Sequence, residues 1–276
     1  MLKVNKLHFL CAAFFVAVPM LWSSPARAQF CDSSTGLLQM PTADMQDDGT
    51  FMITNNFLNK NALSPRGWGY DTFQYGVSIS FWGRMEIGYV CTLFNGAWDP
   101  RPDKSYRATI IRNQDRHFTG RVCLLREGEF GLIWMPALVV GVSDPTTGAG
   151  GGEYITGTSN VSGDSNGYFN RNYVVLTKHF FSPWGQLGVH AGYQFNRRTD
   201  YPINGPCVGI NWSPIWLQHH GILDEINVIA EYDSRTVNLG FIASIWENRF
   251  EAMFELQNFQ WVNFGLRYKL RLKKVK

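Results

Sequence analysis

Beyond its first 28 residues, this chain is a string of short segments in which apolar and polar residues alternate. In Phe73-Gln74-Tyr75-Gly76-Val77-Ser78-Ile79-Ser80-Phe81, every odd position is large and apolar and every even one is small or polar. A strand sends successive side chains to opposite faces, so such a segment has one greasy face and one wet face. The pattern predicts twelve strands: 50–58, 71–82, 84–94, 117–126, 130–142, 172–181, 186–195, 206–212, 225–233, 236–246, 249–257 and 260–272. Segment 104–113 is a further candidate and is placed in a loop, because a single-chain bacterial barrel takes an even strand number. Helical periodicity is almost absent, and 27 glycines suit turns.

The expected fold class is all-β, an antiparallel transmembrane β-barrel of about twelve strands. Segments of about ten residues, at roughly 3.3 Å per residue and tilted near 45°, cover about 23 Å. That matches an outer-membrane apolar band of about 25 Å, whereas the competing soluble β-sandwich needs only about five or six residues per strand. The predicted outward faces include Met85, Ile87, Tyr89, Cys91 and Leu93; Leu187, Val189, Ala191, Tyr193 and Phe195; and Val237, Leu239, Phe241, Ala243 and Ile245. Trp82, Trp134, Trp184, Trp212 and Trp246 fall near strand ends, where amphipathic rings suit a lipid–water interface. Connections alternate long and short through the first half. In the second half 213–224 is long where a short one is expected, and 233–235 is tight where a long one is expected.

The first residues explain how such a chain reaches a membrane. Lys3 and Lys6 precede an apolar stretch, Leu7 to Trp22, and Ala26-Arg27-Ala28 has the small-x-small form of a signal-peptidase site. Residues 1–28 are therefore expected to be a cleaved signal peptide and 29–276 a single barrel domain in the bacterial outer membrane. No later apolar run reaches the roughly 20 residues of a membrane helix; Leu132 to Val142 is shorter and contains Pro136. Removing Lys3, Lys6 and Arg27 from 25 basic residues leaves 22 against 22 acidic ones, so the mature chain is neutral. Nothing in that balance suggests nucleic acid.

Chemistry-bearing residues are scattered. Cys31, Cys91, Cys123 and Cys207 are widely spaced, and no metal-ligand spacing exists. A Cys31–Cys207 bridge is one option in an oxidising compartment. Glu231 and Asp233 share a strand face, as do Glu251 and Glu255, with Arg84, Arg121 and Arg267 as candidate partners. Together with Glu86 and His190 these residues define an expected lumenal polar track. Three readings compete: a charge network that fills and stiffens a narrow barrel, a track for sugar hydroxyls or a charged polymer, and a carboxylate pair for glycoside cleavage. His190 is the best candidate base, but no serine is singled out as its partner. The Gly148–Glu153 loop lacks the Lys-Ser/Thr of a phosphate-binding loop and opens no helix. No catalytic residue, cofactor or metal is expected.

Three blocks carry a family resemblance. Thr35-Gly36-Leu37-Leu38-Gln39-Met40-Pro41-Thr42-Ala43-Asp44-Met45, with Asp48-Gly49 after it, resembles the opening of the YjbH/GfcD family. Pro136-Ala137-Leu138-Val139-Val140-Gly141-Val142-Ser143-Asp144, followed by Thr147-Gly148 and Glu153-Tyr154, is similar to it too. So is Ala230-Glu231-Tyr232-Asp233-Ser234-Arg235 with Asn238-Leu239-Gly240. The resemblance implies a non-enzymatic outer-membrane barrel encoded beside exopolysaccharide or capsule export machinery. Its implied partners are outer-membrane lipid, surface polysaccharide and periplasmic export proteins. A small passive or substrate-selective porin is the alternative, and an outer-membrane enzyme acting on lipid or glycan the third reading. The chain departs from longer family members in presenting one barrel unit. It ends in Lys273-Lys274-Val275-Lys276 instead of a terminal aromatic.

Overall fold

The computed structural model describes residues 32–61, 71–95, 111–145, 170–196 and 204–273. The signal segment, Cys31, the Gly148–Glu153 loop and the last three residues lie outside them, as does most of segment 104–113.

Twelve strands run in chain order: β1 Thr50–Leu58, β2 Thr72–Phe81, β3 Met85–Asn95, β4 Ile111–Leu125, β5 Ala137–Ser143 and β6 Arg171–Ser182. They continue as β7 Gly185–Phe195, β8 Gly205–Pro214, β9 Leu223–Tyr232, β10 Val237–Ile245, β11 Phe250–Gln257 and β12 Trp261–Arg271. Each pairs antiparallel with its sequence neighbours, and β1 closes on β12 from Thr50↔Arg271 to Phe57↔Phe264. Closure leaves no sheet edge unpaired. Because the number is even, β1 begins and β12 finishes at the same end, called here the near end.

The wall is polar inside and apolar outside. On β2, Phe73, Tyr75 and Val77 are exposed while Gln74, Ser78 and Ser80 are buried. The parity continues round the barrel: Leu187, Val189, Tyr193 and Phe195 face out opposite buried His190, and Val237, Leu239 and Phe241 face out opposite Asn238 and Ser244. A water-soluble sandwich shows the reverse partition, with its apolar face inward.

Two strands differ from the pattern. The segment expected at 130–142 starts only at Ala137. Gly128 and Gly131 adopt left-handed φ of 68° and 75°, Glu129–Gly131 forms a 3-10 turn, and the Gly128 N–H returns to the Met135 carbonyl at 3.0 Å. Pro136, which lacks an N–H, separates that turn from the ladder. Strand β4 reaches back to Ile111 and takes in the end of segment 104–113, whose Ile111-Arg112-Asn113-Gln114-Asp115-Arg116 run has no apolar alternation to betray it. Both irregular connections are real: 215–222 carries a short 3-10 turn, and Asp233 to Thr236 reverses tightly. Neither hides a strand.

Candidate functional site

An eight-stranded barrel is narrow enough for its own side chains to fill, whereas sixteen or more leave an aqueous channel. Twelve lie between, and here the space is filled by the chain itself. Residues 32–46, just upstream of β1, run inside the barrel, and Asp32 to Ala43 are all buried. This plug reverses direction at Leu37–Met40, where the Leu37 N–H reaches the Met40 carbonyl at 2.9 Å and Gly36 bridges Pro41.

A segment with so little backbone pairing of its own must find partners in the wall. Glu231 on β9 receives the N–H groups of Leu38 (3.0 Å), Gln39 (2.6 Å) and Met40 (3.3 Å), and the Asn238 amide at 3.1 Å. Glu86 on β3 accepts from the Thr35 hydroxyl at 2.7 Å and from the Gln46 N–H at 2.8 Å, so one carboxylate ties both arms of the plug. Arg121 on β4 lies 3.8 Å from Glu86 and donates to the carbonyls of Thr35, Thr42 and Asp44. Glu255 on β11 accepts from the Gln39 side chain and from Asn263, each at 2.7 Å. Such charge-assisted bonds are about twice as strong as neutral ones.

Shape matches chemistry. A Cβ at Gly209 would sit 2.5 Å from Leu37 Cδ1 and 2.8 Å from Met40 Sδ, so only glycine leaves room for the plug tip. Farther round the wall the inward faces of β5 and β6 turn apolar: Ala137, Val139, Tyr173 and Val175 pack with Ala43 and Met45. Hence the β5 sequence is apolar on both faces.

Of the expected polar track, Glu86, Arg121, Glu231 and Glu255 hold the plug, and the other members have other roles. Glu86, Arg121, His190, Glu231, Glu251, Glu255 and Arg267 are inward and buried. Arg84 is not among them: it sits in the β2–β3 turn, half-exposed, and pairs with Glu129. Asp233 is buried at the end of β9, where it caps the β9–β10 turn through the N–H groups of Arg235 (2.9 Å) and Thr236 (2.7 Å). Glu251 pairs with Lys269 at 2.6 Å and Arg267 at 4.0 Å. Cys91, Cys123 and Cys207 are buried free thiols, so Cys207 is unbridged.

His190 closes a directed chain. The Ala43 N–H donates to Thr177 Oγ1 (2.7 Å), which lies 2.9 Å from His190 Nδ1; His190 Nε2 lies 2.6 Å from Asn211 Oδ1. The Asn211 amide then donates to Asn227 Oδ1 at 3.1 Å. The acceptor at Asn211 places the ring proton on Nε2, so Nδ1 accepts from the Thr177 hydroxyl. Hydroxyl, imidazole and amide thus follow a nucleophile–base–orienter order, yet the hydroxyl is covered by the plug.

Sequence reasoning overlooked Arg171, Thr177 and Asn211. Arg171 on β6 donates to the Gln39 carbonyl at 2.8 Å and pairs with Asp32, which also receives the Ser143 hydroxyl at 2.8 Å. All three share the inward parity of their strands, which was the available signal. Among the described residues no group of His, Cys, Asp and Glu is placed to hold a metal.

The family model described as exopolysaccharide biosynthesis protein YbjH matches residues 32–273, which takes in the plug and all twelve strands. The chain belongs to the YjbH family. No curated protein matches it. In this YjbH-family chain the three blocks that resemble the family lie together. Thr35–Met45 is the plug, Pro136–Asp144 holds the β5 face beneath Ala43, and Ala230–Arg235 brings Glu231 to the plug tip. The family description links the chain to exopolysaccharide biosynthesis and, with the closed wall, fixes what any functional reading must accommodate.

Proposed function

We propose that this YjbH-family protein is a non-enzymatic outer-membrane β-barrel that assists exopolysaccharide or capsule export, or assembly of the envelope that carries the polymer. One observation carries the membrane part. The wall exposes Phe73, Val77, Phe118, Leu176, Val228, Phe264 and their like on its outside, while Glu86, Arg121, Glu231, Glu251, Glu255 and Arg267 face inward. Exposed apolar surface on that scale is not tolerated in water and dissolves in acyl chains. The export-signal pattern of residues 1–28 supports the same destination, and the family description supports the exopolysaccharide link.

The plug counts against a passive porin, because solutes moving through the lumen would have to displace residues 32–46. It counts equally against hydrolysis by the Thr177–His190–Asn211 chain, whose hydroxyl oxygen already accepts the Ala43 N–H. The partners this reading assigns are outer-membrane lipid, the exported polysaccharide and periplasmic export proteins. Fractionation with heat-modifiable gel migration tests the barrel in its membrane. Deletion of the gene tests the role: surface polysaccharide falls if the proposal holds, and an unchanged surface refutes it. In planar bilayers the intact protein conducts little.

A further inference from the structure

We infer that the lumen around the plug is a binding track for an uncharged, hydroxyl-rich glycan chain, and that residues 32–46 occupy it as an internal stand-in which the glycan displaces. The inference rests on the export reading above and adds the site, the class of ligand and what keeps the ligand out. The plug belongs to the barrel by position and not by strand pairing. Among the described residues its one β-bridge is internal, Gly36 to Pro41, and the ring of twelve strands closes without it. It joins β1 at the near end through Asp47-Asp48-Gly49, so it can withdraw without breaking a strand pair.

Each wall group that holds the plug sets a donor beside an acceptor. Glu231 lies 3.1 Å from the Asn238 amide, and Glu255 2.7 Å from the Asn263 amide. Arg171 lies 3.1 Å from Gln194 Oε1, and Arg121 3.8 Å from Glu86. A hydroxyl donates and accepts through one oxygen, so a sugar can bridge each such pair. The plug does the same by presenting N–H groups to Glu231 and carbonyls to Arg121 and Arg171. Tyr173 adds an apolar ring. It lies against the lumen wall where a Cβ on Gly141 would overlap it, with the Arg171 guanidinium 5.8 Å from its centroid. It shares an apolar cluster with Ala43 of the plug, and that ring suits the C–H face of a pyranose once Ala43 leaves.

Size and charge narrow the class of ligand. Both arms of the plug pass Glu86 and Arg121: Thr35 on one arm, Thr42 to Gln46 on the other. Neighbouring extended chains lie about 4.8 Å apart, so two arms fill a slot about 10 Å across, which is room for one chain of sugar rings. Three carboxylates, Glu86, Glu231 and Glu255, hold the plug against two guanidiniums, Arg121 and Arg171. From Ser33 to Ala43 the plug itself carries no charge. A neutral glycan replaces it group for group, whereas an anionic one meets the excess of acids.

The test unseats the plug and keeps the wall. Leu37→Glu/Met40→Glu in the full chain sets two carboxylates at the tight Gly209 contact, close to Glu231. In planar bilayers the intact protein is expected to stay closed and this variant to conduct. Maltohexaose is expected to interrupt the current at concentrations where polyethylene glycol of equal mass and oligogalacturonate do not. Adding Arg121→Ala or Glu231→Ala is expected to weaken that block about tenfold. Equal block by polyethylene glycol, stronger block by oligogalacturonate, or no current from the folded variant overturns the inference and leaves the export reading standing. A second variant decides the matter where the first does not fold. Ser33 Oγ lies 2.5 Å from Thr54 Oγ1, so Ser33→Cys/Thr54→Cys, in a chain otherwise free of cysteine, ties the plug to β1 on oxidation. In a deletion strain the tied chain is expected to leave surface polysaccharide absent where either single-cysteine parent restores it. Restoration by the tied chain overturns the inference. A deletion that leaves surface polysaccharide unchanged removes the export reading instead, and block by maltohexaose still decides the track.

Discussion

Replacing Glu231 with alanine attacks the plug at its tip while leaving the wall ladder intact, since Glu231 pairs with Asn238 and Gly209 through its backbone. The lost carboxylate accepts the N–H groups of Leu38, Gln39 and Met40, all at buried positions. A buried donor left without an acceptor costs about 1–3 kcal/mol. Water entering the vacated space relieves part of this, so the low end, about 3 kcal/mol for the three amides, is the conservative figure. At roughly 1.4 kcal/mol per factor of ten, the balance between seated and withdrawn plug shifts about a hundredfold. Ser34, buried in the plug, serves as the reporter when changed to cysteine in a background where Cys31, Cys91, Cys123 and Cys207 are all replaced by serine or alanine. Its labelling by a water-soluble maleimide in the folded barrel is expected to be very slow with Glu231 present and about a hundred times faster in Glu231→Ala. Glu231→Gln, which keeps one acceptor oxygen, is expected to fall between. Labelling rates within a factor of two across all three, with heat-modifiable migration unchanged, refute the idea that this carboxylate seats the plug.

Gly209→Val drives a branched side chain into Leu37 and Met40 and is expected to destabilise the barrel by about 1–3 kcal/mol or more, read as a lower temperature for the heat-modifiable shift. His190→Ala orphans the Thr177 hydroxyl and the Asn211 carbonyl oxygen, at about 1–3 kcal/mol each, and is expected to lower the same temperature while leaving surface polysaccharide intact wherever the barrel still assembles. Burial raises the Glu127 carboxyl, but hydrogen bonds from His179 and Lys178 outweigh it and leave the group below its ordinary 4.5; Glu129 is lowered by the Arg126 N–H and by Arg84. Because both are depressed in the fold, their stabilisation is present above the ordinary glutamate value and is lost as pH falls through the lower folded values. Proteolysis within 126–136 is therefore expected to accelerate below about pH 4.5, and a flat pH profile refutes this.

The wall was legible because each strand repeats one physical rule. Alternation reports which face meets an apolar medium, so β1, β2 and β10 were bounded to within a residue or so. Where the rule lapses, sequence reading lapsed too. The 111–116 run is paired to β3 by backbone bonds, which no side-chain pattern records. Around Pro136 an apolar run masked a turn, because Phe130, Ile133 and Trp134 are apolar for the surface they present and not for a strand face. The track was half-readable: parity put Glu231, Glu255 and Arg121 inside but could not say what they hold. The plug partners of Glu231 and Arg121 are backbone amides and carbonyls of Leu38, Gln39 and Thr42, and a backbone group leaves no mark in a sequence.

The plug also answers why a twelve-stranded wall carries so many inward charges. An empty lumen of this width would hydrate them, and a lumen packed by side chains alone would strand them. A peptide segment offers donors to the carboxylates and carbonyls to the guanidiniums along its length, so both sides of the lumen are satisfied by one segment: Glu231 by backbone N–H groups and Glu255 by the Gln39 side-chain amide on one side, Arg121 and Arg171 by backbone carbonyls on the other. This arrangement also limits what can take the plug's place. Any occupant must offer donors to the Glu231 side and acceptors to the Arg121 side, because burying either set unpaired costs several kcal/mol per ion.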